Sequence, residues 1–179
     1  MYRLEKEVDL IKDPEIKVFV YKCIDKAPSY FWKVPSSSTG KYHPEDERGE
    51  GGSVLHTRRA VKVADDLCRN FNINGSERDC VLAAAIMHDF CKNGYPNDTN
   101  HTADGHGNLW VNILNQVAIK DLIINSNIIK TISRLIACHM GRFDIPFIIA
   151  EDKLGLIIQI ADYVVSREYI KVGVGGNND

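Results

Sequence analysis

Residues 76–89, SERDCVLAAAIMHD, constrain the fold more tightly than any other stretch of the chain. From Cys80 to Met87 every side chain is apolar, which predicts a helix buried on nearly all sides. Ser76, with Asp79 three residues on, approximates a capping box that would start it. The helix then ends in two ionisable neighbours, His88 and Asp89. Buried groups of that kind cost free energy unless they are paired, hydrogen-bonded or bound to metal. The chain must therefore supply partners for them.

Other segments show the same helical periodicity. Residues 13–28 carry Ile16, Val20, Cys23 and Ile24 on one face, with Asp13 as N-cap and Pro14 at the first helical position. Residues 53–71 form an amphipathic helix whose expected N-cap is Ser53. Helices are also expected over 108–118, 127–139 and 150–170, the last mostly apolar with Asp162 in its middle. No stretch alternates over strand length, so the predicted fold is all-α, a compact bundle of five to seven helices.

The length of 179 residues suits one core. Residues 1–28 are expected to pack on that core as an N-terminal helix, 29–52 to form a long functional loop, 53–170 to form the main domain, and 171–179 to be a disordered tail. Tyr30, Phe31 and Trp32 open the loop and read as core more readily than as a stacking platform. SSSTGKYHP (36–44) resembles a P-loop only superficially, since Pro35 and Tyr42 stand where that motif needs glycine and a hydroxyl residue. The net charge of −2 gives no general attraction to nucleic acid or anionic membrane. No apolar run approaches the roughly 20 residues of a bilayer span, and the charged N-terminus has no signal-peptide core. Five scattered cysteines without CxxC spacing (Cys23, Cys68, Cys80, Cys91, Cys138) read as reduced, buried thiols of a cytoplasmic protein.

All six histidines, His43, His56, His88, His101, His106 and His139, fall in the middle of the chain. Imidazole and carboxylate together suit divalent metals. His56, His88-Asp89, His139 and Asp162 would need four helices to converge, which is how bundles build metal sites. Asp162, between Ile160-Ala161 and Tyr163-Val164-Val165, most needs such a partner.

From about residue 50 to 168 the chain resembles the HD-domain superfamily of metal-dependent phosphohydrolases. GEGGSVLHTRRAVKVADDL (49–67) is similar to the family's opening Gly-Gly-x-x-x-His-Thr helix, and AAAIMHDFCK (83–92) to its His-Asp-x-x-Lys helix end. ACHMGRFD resembles the later histidine segment, and IIQIADYVVSRE the closing Ala-Asp helix. The departure is Phe90-Cys91 where the family often has Ile-Gly, which would ease helix termination.

The resemblance implies an HD-type helical fold and a metal held by His56, His88, Asp89 and Asp162. Subgroups with two metals add two histidines, for which His139 and His106 stand in the right order; His101 is the alternative to His106. One or two divalent ions (Mn, Fe, Co, Ni, Zn or Mg) would then be the cofactor, with Asp89 as bridging ligand. The implied activity is hydrolysis of a small phosphate ester, a nucleotide or related phosphomonoester or diester. Asp89, Lys92 and Arg142 are the catalytic candidates, with Lys41 and His43 as lesser ones. Arg58, Arg59 and Arg167 read as ordinary solvated charges. The competing functions are a 3′-to-5′ exonuclease, less favoured because no basic stripe interleaves with aromatics, and a nucleotide-binding regulatory module.

Overall fold

The structure, a computed structural model, describes residues 4–96, 99–121, 124–143 and 148–174. Among these residues it is all-helical, as expected. The elements are α1 (Glu5–Val8), α2 (Pro14–Ile24), α3 (Gly52–Asn70), α4 (Gly75–Met87), α5 (His106–Asp121), α6 (Ser126–Cys138) and α7 (Lys153–Val165). Short 3-10 turns cover Ser29–Trp32, Glu45–Glu47 and Gly141–Phe143. No helix is long and apolar enough to cross a membrane.

α4 runs through the middle. Every residue from Asp79 to Met87 is buried, and the helix packs against α1, α2, α3, α6 and α7. The three alanines 83–85 make this possible, because their small side chains let neighbouring backbones close in from several directions at once. The outer helices are amphipathic and turn their apolar faces inward, with Phe19, Val61, Leu114, Ile136 and Ile158 all in the common core.

Helix starts differ from expectation in instructive ways. Asp13 caps α2 as predicted, accepting from the amides of Glu15 and Ile16. Ser53 does not cap α3; the helix begins at Gly52, behind Gly51 with φ 76°, and the Ser53 hydroxyl donates to the Pro35 carbonyl. Asp79 does not close a capping box either. Its buried carboxylate accepts from the amides of Lys12 and Asp13 and from Arg78, so it fastens the start of α2 to the central helix. The last helix, expected over 150–170, is shorter, spanning Lys153–Val165 with Asp152 as its cap. Of the expected tail, residues 171–174 are described and the Val172 carbonyl accepts from Arg59; 175–179 lie outside the described residues.

The Phe90-Cys91 pair ends α4 without glycine. Phe90 buries its ring against Phe31 and Trp110 at 4.7 and 4.9 Å between centroids, an aromatic anchor that holds the turn. The Phe31 ring is fully buried, so that aromatic is core. The turn is further tied by the Tyr30 hydroxyl, which donates to the Gly94 carbonyl at 2.7 Å.

Two outcomes are expected from this packing. Asp79→Ala should lower the free energy of unfolding by about 3 kcal/mol in a denaturant titration, because two amides and a guanidinium lose a charged acceptor in the interior. All five cysteines are free and buried, and burial pushes the thiols of Cys23, Cys80 and Cys91 up to about 12. A thiol reagent at pH 8 should therefore label the native protein only as fast as it unfolds, and label it fully in guanidinium.

Candidate metal centre

Five helices bring their chemistry to one point. α3 supplies His56 from its second turn, the end of α4 supplies His88 and Asp89, the start of α5 supplies His106, the end of α6 supplies His139, and α7 supplies Asp162. All four histidines are at most 1% exposed and Asp89 is 5% exposed, so the cluster sits in a nearly dry floor.

The Nε2 atoms point inward. His56 Nε2 lies 3.0 Å from Asp162 Oδ1 and 3.3 Å from His88 Nε2. His106 Nε2 lies 3.1 Å from both His139 Nε2 and Asp89 Oδ1. Asp89 divides itself between the two halves. Its Oδ2 faces His56 and His88 at 3.8 and 3.7 Å, while its Oδ1 faces His106 and His139 at 3.1 and 3.7 Å.

The opposite ring nitrogens explain the orientation. Nδ1 of His88 donates to the Ala85 carbonyl at 2.8 Å, that of His106 to Ala103 at 3.0 Å, and that of His139 to Ile136 at 2.6 Å. A carbonyl only accepts, so each Nδ1 carries a proton, and in the neutral ring each Nε2 presents a lone pair. Two such lone pairs, on His106 and His139, meet at 3.1 Å. They repel unless a proton or a metal ion lies between them, and inward-facing imidazole nitrogens beside a carboxylate are a donor set that suits a divalent cation. The same demand shapes the acids. Burial works to raise the pKa of Asp89, but Lys92 and the surrounding imidazoles hold it well below the usual carboxylate range. Asp162 is likewise lowered against its burial, chiefly by His56. For His139 burial acts downward, yet Asp89 and Asp162 raise it.

Close packing makes the convergence possible at Gly107. A Cβ there would sit 2.7 Å from the Ile136 carbonyl and 3.3 Å from the His139 ring, so only glycine lets the start of α5 reach the end of α6.

Above the floor opens a cavity of about 940 Å³. Lys92, nearly buried, places Nζ 3.5 Å from Asp89 Oδ2. Arg142 is exposed at the rim, its guanidinium 5.0 Å from the Phe143 ring centroid. His101 also lies at the rim and is exposed, apart from the inner cluster that holds His106. Lys41 is exposed and its ammonium lies over the Tyr42 ring, outside the cavity lining.

Two arginines depart from the reading as solvated charges. Arg59 is only 8% exposed and is clamped by Asp46, Glu47 and the Val172 carbonyl. Arg167 lines the cavity, with its guanidinium 4.6 Å from the Tyr163 centroid and 5.6 Å from that of Tyr42. Sequence reasoning also passed over Glu47, fully buried beside His56 and His43. Nothing in its local sequence, EDE among other charges, marks it; the only signal was its place in the loop just before the His56 helix.

A family model for the HD domain matches residues 54–166, well over half of the chain. The protein belongs to the HD-domain family, whose members are generally metal-dependent phosphohydrolases. No curated protein and no solved structure gives a significant match.

If each half of the cluster holds an ion, purified wild-type protein reconstituted with manganese should carry about two per chain. His106→Ala should then lose one of them, and His101→Ala none, as read by elemental analysis.

Proposed function

We propose that the protein is a phosphohydrolase that uses two divalent ions and acts on a small phosphate ester, a nucleotide or a molecule of similar size. The observation that carries this reading is the Asp89 carboxylate, which offers one oxygen to the His56–His88–Asp162 half and the other to the His106–His139 half. Those six residues would hold the ions. Ions at such sites acidify water toward a pKa of about 7 and draw charge from phosphoryl oxygens.

The rest follows from the chain's own side chains. The Lys92 ammonium, 3.5 Å from Asp89, provides a fixed positive charge where a phosphoryl group would rest, offsetting the charge that gathers on its oxygens in the transition state. The water oxygen bonds to phosphorus, the ester P–O bond breaks, and the alcohol leaves with a proton. Arg142 at the rim would meet the incoming anion.

The cavity volume favours an organic leaving group over inorganic pyrophosphate. At about 940 Å³ it lies at the upper end of small-molecule sites. One side is hydroxylic, with Ser37, Ser38 and Thr39; another is apolar and aromatic, with Phe143, Leu156, Ile160 and Tyr163. A sugar and a planar base would suit that division. Lys92, Arg142 and Arg167 form a spot of positive charge confined to the cavity lining, which supports a compact substrate over an extended strand.

With manganese present, wild-type protein should release phosphate or a nucleoside monophosphate from one member of a nucleotide panel. Asp89→Asn should lower kcat by about 10³-fold or more, and Lys92→Ala by about 10²-fold, with circular dichroism unchanged. Shortening of an oligonucleotide from its 3′ end, with nucleotides untouched, would reverse the substrate order. Saturable nucleotide binding without product would make the domain a binding module.

A further inference from the structure

Three of the four cluster histidines are oriented by backbone, and the fourth cannot be. His88 and His139 follow the ends of α4 and α6, and His106 begins α5. Each points Nδ1 at a carbonyl three residues earlier, at or outside a helix terminus, where carbonyls lack partners in the helix ladder. His56 lies inside α3, where the ladder consumes the nearby carbonyls. Its Nδ1 is buried and has no hydrogen-bond partner among the described residues, but it faces Glu47 Oε2 at 3.5 Å.

Glu47 is held in place with unusual thoroughness for a loop residue. It is fully buried, its Oε1 accepts from Arg59 Nη1 at 2.6 Å, and its Oε2 lies 2.9 Å from His43 Nδ1. Its carbonyl accepts from the amide of Ser36. α3 comes against this loop so closely that a Cβ on Gly52 would overlap the Glu47 carbonyl and the Ser36 amide. Arg59, one turn after His56, grips Asp46 as well through both terminal nitrogens. Burial works to raise the Glu47 pKa, but His43, His56 and Arg59 hold the group ionised, well below the usual carboxylate range.

Resting on the proposed metal-dependent reading, we infer that Glu47 is a positioning residue: its carboxylate takes the Nδ1 proton of His56 as a hydrogen bond, so that the Nε2 lone pair is committed to the ion shared with His88 and Asp162. A carboxylate behind a ligating imidazole fixes the tautomer and makes the ring a stronger donor. The loop 29–52 thereby acts on the centre from behind, through a residue that never reaches substrate. Because Glu47 touches only one histidine of the cluster, its influence falls on one half of the centre.

The test compares Mn²⁺ binding by isothermal titration in the wild type, Glu47→Gln and Glu47→Asp. Glu47→Gln should weaken one of the two ions by about 10–100-fold and leave the other unchanged, with Glu47→Asp between the two. In the zinc-loaded wild type, long-range ¹H–¹⁵N spectra should place the His56 proton on Nδ1. Equal weakening of both ions would mean that Glu47 only supports the fold, and unaltered binding would mean that it does nothing to the centre. A His56 proton on Nε2 overturns the inference without any variant. A wild type that binds no ion at all overturns the proposed function itself, and this inference with it; ion binding by the wild type with an indifferent Glu47→Gln overturns the inference alone.

Discussion

The electrostatic problem at the end of α4 organises the molecule. Asp89 and four imidazoles share a space from which water is almost excluded, with Asp162 at its edge. Solvent cannot stabilise charge there, so the carboxylates need positive partners, and the facing ring nitrogens of His106 and His139 need a proton or a metal ion between them. Lys92 answers part of that demand. The remaining groups form a complete set of nitrogen and oxygen donors with no thiolate among them, since all five cysteines are packed elsewhere as apolar filling.

Rigidity comes from the surrounding helices. α4 touches most of the other helices, and the Phe90 ring locks the turn that follows it against Phe31 and Trp110. Donors held on such a scaffold do not have to be gathered when an ion arrives, so little conformational entropy is lost on binding. The helix termini serve a second purpose here. Carbonyls at or just outside those ends, of Ala85, Ala103 and Ile136, become the acceptors that hold the Nδ1 protons of three histidines.

The cavity above the floor is divided in character. Hydroxyl groups from the 36–39 stretch stand against an apolar wall from α7, and the arginine of that helix end is stacked between Tyr42 and Tyr163. The loop 29–52 thus contributes on two levels: Tyr42, Ser37 and Thr39 to the cavity, and Glu47 to the back of His56. Its ion pairs with Arg59, a buried one from Glu47 and an outer one from Asp46, bind it to α3, which is why so polar a stretch, rich in proline, serine and glycine, packs against the core.

Much of this was legible in the residues alone. Helical periodicity and an absence of alternation specify the all-α class, the apolar run 80–87 specifies a central helix, and the spacing of His56, His88-Asp89, His139 and Asp162 resembles an HD-type ligand set. These are properties of local chemistry and repeat. What the sequence could not determine depends on contacts between distant segments. Ser53 and Asp79 have the chemistry of helix caps, yet tertiary partners at Pro35, Lys12 and Asp13 claim them. Arg59 and Glu47 look like surface charges until a loop and a helix, brought together at Gly52, bury them against each other. Burial and pairing of charge are decided by packing across the chain, and no local pattern encodes them.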